Sequence, residues 1–200
     1  MDFLFEGYRR FRARHVGERA DLYRTLDHGQ QPPVCVISCC DSRVDPVTIF
    51  DADPGQLFVI RNVANLVPPF RAGDGLQGTS TAIEFAVRRL KVGHIMVLGH
   101  AKCGGVAAAL SGPMGEDSVF LENWISLLGV AKLRAGGKAD LQTAVEHESV
   151  RVSLERLMTF PFVDAAVKAS TLSLSGAVFS IFDGRLDVLD GVSGDFKVFV

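Results

Sequence analysis

Val34-Cys35-Val36-Ile37-Ser38-Cys39 is the stretch on which the fold turns. It is short, β-branched and almost wholly apolar, with no polar alternation, which describes a strand buried on both faces as in a parallel sheet. Working outward, the same signature recurs at Leu57-Phe58-Val59-Ile60, entered through the turn Asp53-Pro54-Gly55, and at His94-Ile95-Met96-Val97-Leu98-Gly99. Between these runs, residues 66–79 read as loop, rich in Pro and Gly. Thr81-x-x-Glu84 fits a capping box, followed by Ile83, Ala86, Val87 and Leu90 at helical spacing and stopped by Gly93. Helical patterns continue from Gly104 to Leu110, over 118–134 and over 139–158, then break at Phe160-Pro161 before a short helix to about residue 169. Residues 176–182 and 185–189 read as strands joined by Asp183-Gly184, a two-residue hairpin signal. The alternation predicts an open α/β fold: a mostly parallel central sheet, about four parallel strands plus an antiparallel edge strand, flanked by helices.

The segment to about residue 27 reads as one helix, with Leu4, Tyr8 and Phe11 at i, i+4 and i+7 and Arg9, Arg10, Arg12 and Arg14 crowding the remaining surface. So many aromatics near a terminus predict an arm packed on something, such as a neighbouring subunit. The expected organisation is a single domain over 1–200, with a helical arm 1–27 and a catalytic core 28–200. Apolar residues at 48% and charged residues at 22% exclude a wholly disordered chain. A net charge of −2 offers no basic field for nucleic acid. No apolar run approaches the roughly 18 residues of a membrane span. The start carries acidic residues where a secretory signal wants basic ones, so the expectation is a cytoplasmic protein with neither membrane nor nucleic-acid partner.

Cysteines at 35, 39, 40 and 103 are too few and too clustered for a disulfide framework, and in a reducing compartment such a cluster points to metal or catalysis. Reactive side chains concentrate in Cys39-Cys40-Asp41-Ser42-Arg43 and His100-Ala101-Lys102-Cys103-Gly104-Gly105. Each segment lies just past the carboxyl end of an expected parallel strand, where open α/β sheets place their ligand sites. Two thiols and an imidazole converging there match a catalytic zinc site, with three protein ligands and one open tetrahedral position. Cys35, inside a strand, reads as a small buried hydrophobe. Cys39 and Cys40 tend to opposite faces, and strand physics alone does not choose between them. Beside a metal, Asp41 is a fourth ligand or a base, and Arg43 is what restrains it.

Taken together, Cys39-x-Asp41-Ser42-Arg43 and His100-x-x-Cys103-Gly104-Gly105 resemble the β-class carbonic anhydrase family. The likeness extends through Gly29-Gln30, Asp53-Pro54-Gly55, Phe58, Arg61-Asn62-Val63-Ala64-Asn65 and Gly78-Thr79-Ser80 into Glu84-Phe85-Ala86. The resemblance implies one Zn2+ per chain on Cys39, His100 and Cys103, which leaves Cys40 as a variable position. It implies an Asp41–Arg43 dyad, a substrate-holding Gln30, a substrate contact from the Gly104 backbone N–H, and an aromatic wall at Phe58. Phe85 falls where some members carry Tyr and would line the same pocket without a hydroxyl. Sites at a dimer interface follow, hence a homodimer or homotetramer. The implied reaction is the reversible hydration of carbon dioxide to bicarbonate and a proton by a zinc-bound hydroxide. Members switched off by bicarbonate carry Trp and Gly where this chain has Val36 and Ser38, so no bicarbonate gate is expected. Two rival readings keep the zinc: a carbon disulfide or carbonyl sulfide hydrolase, for which nothing marks the access tunnel, and a non-catalytic zinc module. Retention of Asp41, Arg43 and Gln30 argues against the module, since a purely structural zinc needs none of them.

Overall fold

The N-terminal periodicity forms two helices where one was expected. In the computed structural model, which describes residues 1–199 apart from 74, 76, 114, 116 and 117, α1 (Asp2–Val16) and α2 (Ala20–Asp27) are separated at Gly17. There the backbone leaves helical space, with φ −90° and ψ −104°, and the Ala20 N–H turns back to the Gly17 carbonyl at 3.3 Å. Inside this unit, Met1–Gln31, Tyr23 packs edge-on against Phe11 at 5.8 Å and at a 44° tilt against His15 at 4.0 Å. Phe3, Phe5 and Tyr8 stay exposed, and no residue of α1 is buried.

The second unit, Pro32–Val200, is built on the expected sheet. β1 (Val34–Cys39) lies between β2 (Leu57–Asn62) and β3 (His94–His100), and β4 (Ser173–Phe179) follows β3, all parallel. β5 (Leu186–Leu189) and β6 (Phe196–Val198) extend the same edge antiparallel, giving the order β2-β1-β3-β4-β5-β6. Sequence reading allowed one antiparallel strand and missed β6, three residues around an exposed Lys197, too short to show a period. Period two sorts the β1 side chains: Cys35 and Ile37 enter one apolar layer with Ile83, Ala86 and Phe160, while Val36 joins Leu98 and Ala177 on the other. Both faces are therefore dry, as the unbroken apolar runs require.

Helices cover the sheet, with several boundaries corrected. After β1, α3 (Pro46–Ile49) starts on Asp45, whose carboxylate accepts from Thr48 N at 3.0 Å. α4 (Gly78–Glu84) begins before Thr81, whose own N–H already donates to Gln77 O at 2.9 Å, so Thr81-x-x-Glu84 is helix interior and not a capping box. A π-helical turn, Phe85–Leu90, continues it and ends at Lys91 in left-handed conformation, φ 54°, ahead of the expected stop at Gly93. α5 (Gly104–Leu110) forms as expected, whereas the 118–134 pattern divides into α6 (Leu121–Ile125) and α7 (Gly129–Ala135) around a 3-10 turn. α8 (Leu141–Leu157), capped by Asp140, and α9 (Pro161–Lys168) complete the layer. α8 crosses β3 and β4 so closely that a Cβ on Gly99 or Gly176 would lie 2.8 or 2.5 Å from Val150. The two-residue hairpin is also corrected. Residues 180–185 form the loop, closed by Ser180 N to Arg185 O at 2.8 Å, and pairing starts at Phe179 with Leu186.

Candidate metal centre

Parallel pairing brings the carboxyl ends of β1 and β3 to one edge, with Ser38 opposite Leu98, so Cys39 and His100 emerge side by side. Lys102, left-handed at φ 57°, turns the chain back so that Cys103 stands at the start of α5 beside both. The three side chains are buried, and their ligating atoms lie within 4.8 Å of one another. The two sulfurs are 4.0 Å apart. Two Zn–S bonds of about 2.3 Å at a tetrahedral angle would set them about 3.8 Å apart.

The imidazole shows which atom is meant for a metal. His100 Nδ1 lies 2.9 Å from the Ala101 carbonyl, which only accepts, so Nδ1 carries the proton and Nε2 presents a lone pair. Nε2 is buried with no hydrogen-bond partner. A buried acceptor left so is costly unless something else takes its lone pair. The thiols behave as a pair. The Cys103 hydrogen bond pulls the Cys39 thiol down, and the same contact pushes Cys103 up. A dication held here would satisfy both sulfurs and Nε2 together. The donor set fits zinc.

Of the two adjacent cysteines, Cys39 is the one that lies with His100 and Cys103. Cys39 shares the inward register of Cys35 and Ile37, whereas Cys40 is exposed. Cys35 is fully buried in the apolar layer, and burial pushes its thiol up to about 12. Asp41 is gripped by Arg43 through a two-pronged pair, Nε to Oδ1 at 2.9 Å and Nη2 to Oδ2 at 2.7 Å. Those hydrogen bonds hold the carboxyl well below the usual carboxylate range. Arg43 Nη2 also donates to the Lys102 carbonyl at 3.2 Å, tying the dyad to the loop that carries Cys103.

Phe58 and Phe85 stack on each other at 5.9 Å. Phe58 pairs with Cys35, four residues before Cys39, a distance of about 13 Å along a strand. Within one chain these two rings are not brought to the thiolates. Gly104 is the first residue of α5, adjacent to Cys103, and Gln30 lies in the N-terminal unit after α2.

Sequence reasoning assigned no role to two residues that support the centre. Arg61 donates to the Cys39 carbonyl at 2.9 Å and the Asp41 carbonyl at 2.7 Å, clamping the ligand loop from β2. Glu146, 2% exposed on α8, accepts from Cys103 N at 2.9 Å and from Gln142 Nε2 at 3.0 Å. Burial pushes its carboxyl up from the usual carboxylate range. A glutamate inside a helical pattern reads as solvated surface, so no local signal marks it.

A family model described as carbonic anhydrase matches residues 34–186. A carbonic anhydrase of Synechocystis sp. is 33% identical over 204 residues, spanning 98% of this chain and 73% of that protein. Among solved structures, the β-carbonic anhydrase CcaA superposes with a TM-score of 0.91 at 32% identity, over 99% of this chain and 98% of that one. One of two tetrameric β-carbonic anhydrases from Sordaria macrospora gives 0.84 at 29% identity, over 98% of each chain.

Proposed function

The chain belongs to the β-class carbonic anhydrase family, and from that premise we propose that Cys39, His100 and Cys103 hold its Zn2+ while Asp41 and Arg43 are the catalytic dyad for reversible hydration of carbon dioxide to bicarbonate and a proton. One observation carries the assignment: three buried donors converge within 4.8 Å, one an otherwise partnerless Nε2, beside an arginine-restrained carboxylate. Zinc on this donor set supplies Lewis acidity, which makes hydroxide available from water near neutral pH. Asp41 accepts a hydrogen bond from the attacking hydroxide and turns its lone pair toward the carbon. Arg43 occupies both carboxylate oxygens and keeps Asp41 out of the ligand set. The Gly104 N–H donates to a substrate oxygen. Phe58 and Phe85 supply an apolar wall across a subunit interface, since they stand too far along the sheet to reach their own chain's centre. The half-open face of Phe85, 44% exposed, suits that role.

Stopped-flow hydration with a pH indicator tests the reading. Zinc-loaded protein should hydrate carbon dioxide with activity rising as pH rises, because two thiolates make the metal a weaker acid than three imidazoles would. A zinc-loaded sample without activity sinks it, and turnover of carbon disulfide or carbonyl sulfide instead would favour the hydrolase. The same assay reports gating. Val36 and Ser38 are packed in the core, and the Arg61 guanidinium donates to the Cys39 and Asp41 carbonyls and pairs with Asp45 at 3.4 Å. Bicarbonate should therefore inhibit only as a product, without cooperativity.

Assembly is the second part of the proposal: a homodimer or homotetramer in which the aromatic face of α1 lies on a second copy. Exposed Leu4, Tyr8 and Phe11 share one face of α1 at i, i+4 and i+7, with Phe3 and Phe5 also exposed beside them, and apolar surface of this extent usually marks a contact. Deleting residues 1–14 should at least halve the mass measured by light scattering at micromolar concentration. A full-length chain that is already monomeric would refute it. Among the described residues no helix is long and apolar enough to cross a membrane. The need to keep both ligand thiols reduced supports a cytoplasmic location.

A further inference from the structure

Two consecutive residues after β2 adopt left-handed backbones although neither is glycine: Ala64 (φ 64°, ψ 27°) and Asn65 (φ 50°). L residues avoid this region, so a neighbouring pair persists only where the surroundings hold it. Here the hold is specific. Asn62 brackets the turn, its Oδ1 accepting from Leu66 N at 2.8 Å and its Nδ2 donating to Leu66 O at 2.9 Å. Trp124 Nε1 donates to Val63 O at 2.8 Å, and Ser153 Oγ donates to Asn65 O at 3.3 Å. From the other side α5 presses in, since a Cβ on Gly105 would lie 2.8 Å from Val63 and 3.0 Å from Ala64.

The product of this conformation is one contact. The Ala64 N–H points at Cys39 Sγ, 3.4 Å away, with Ala64 fully buried so that no water competes. We infer that Asn62 is a positioning residue: by bracketing the 62–66 turn it holds the Ala64 amide on the Cys39 sulfur and so sets how much charge that thiolate gives the metal. The inference rests on the proposed reading of Cys39 as a ligand. Its physics is simple. Two thiolates offset the dication's charge, and an amide hydrogen bond stabilises sulfur lone pairs that would otherwise be donated. Partners of this kind, outside the ligands themselves, tune a metal without touching it.

Cobalt(II) in place of zinc reads the sulfur directly, through the thiolate-to-cobalt charge-transfer band. Three forms are compared with the unaltered holoprotein: Asn62→Ala, Asn62→Asp, and a chain in which lactic acid replaces Ala64, exchanging that single N–H for an ester oxygen. The ester and Asn62→Ala should move the band to longer wavelength, because sulfur lone pairs freed of the hydrogen bond lie higher in energy, and should shift the rate of zinc release to a chelator away from that of the unaltered protein. Asn62→Asp, which keeps the acceptor for Leu66 N, should move it less. If Asn62→Ala fails to fold, the ester still decides, because it leaves every side chain in place. An ester protein with the unaltered band and release rate overturns the inference while leaving the ligand reading standing. Absence of any thiolate band in the unaltered cobalt protein overturns the ligand reading itself.

Discussion

Replacing Cys39 or Cys103 by serine is expected to strip the chain of zinc and of hydration activity, whereas Cys35→Ser and Cys40→Ser should retain both. The contrast follows from burial and geometry. The Cys39 and Cys103 sulfurs are 4.0 Å apart and lie with His100, whose Nε2 has no hydrogen-bond partner. A serine hydroxyl at either position is not a thiolate, and the loss in zinc affinity should exceed the roughly 100-fold that supporting residues around metal sites can cost. Metal content per chain after dialysis measures it. Alkylation gives a second reading on the same four residues. At mildly alkaline pH a zinc-loaded chain should be labelled at exposed Cys40 and nowhere else. Cys35, with its thiol pushed up to about 12 by burial, stays protonated and shielded, and the other two are held by metal. Zinc loss from Cys40→Ser alone would overturn the assignment.

Asp41→Asn should retain zinc and lose about 100-fold in kcat/KM, the scale on which misorienting a reacting group costs rate. The amide keeps the shape of the carboxylate but offers one acceptor oxygen where Arg43 now uses two. Arg43→Met should show a similar loss by another route. It frees the Asp41 carboxylate, which sits two residues from Cys39 and would then be able to approach a metal held there. The two losses should not add, because both residues form one unit. Unchanged zinc content with near-normal kcat/KM in either variant would remove the dyad from the mechanism.

How far the site was legible in sequence varies residue by residue. His100-x-x-Cys103 is local: three residues span one turn, and the strand-to-helix switch around it is visible in the pattern. Asp41 and Arg43 are equally local, two apart on a loop, and their pairing needs no distant support. Glu146 was invisible because its partner, the Cys103 N–H, lies 43 positions away and comes within reach only when α8 packs on β3. The choice between Cys39 and Cys40 was open for a related reason. Alternation says that they part, but which one turns inward depends on the register of β1 against its neighbours.

The sequence by itself determined the parallel strands, the order of strand and helix along the core, and the two reactive segments at strand ends. Apolar runs, turn residues and short spacings act over a few bonds and leave a local record. Tertiary structure alone decided the break at Gly17, the π-turn that ends at Lys91, the added edge strand β6 and the left-handed pair at Ala64 and Asn65. It alone also gave His100 Nε2 its lack of a partner and Cys103 its bond to Glu146. These depend on which surfaces meet across tens of residues. Packing overrides weak local preference wherever a buried hydrogen bond or a close approach is at stake.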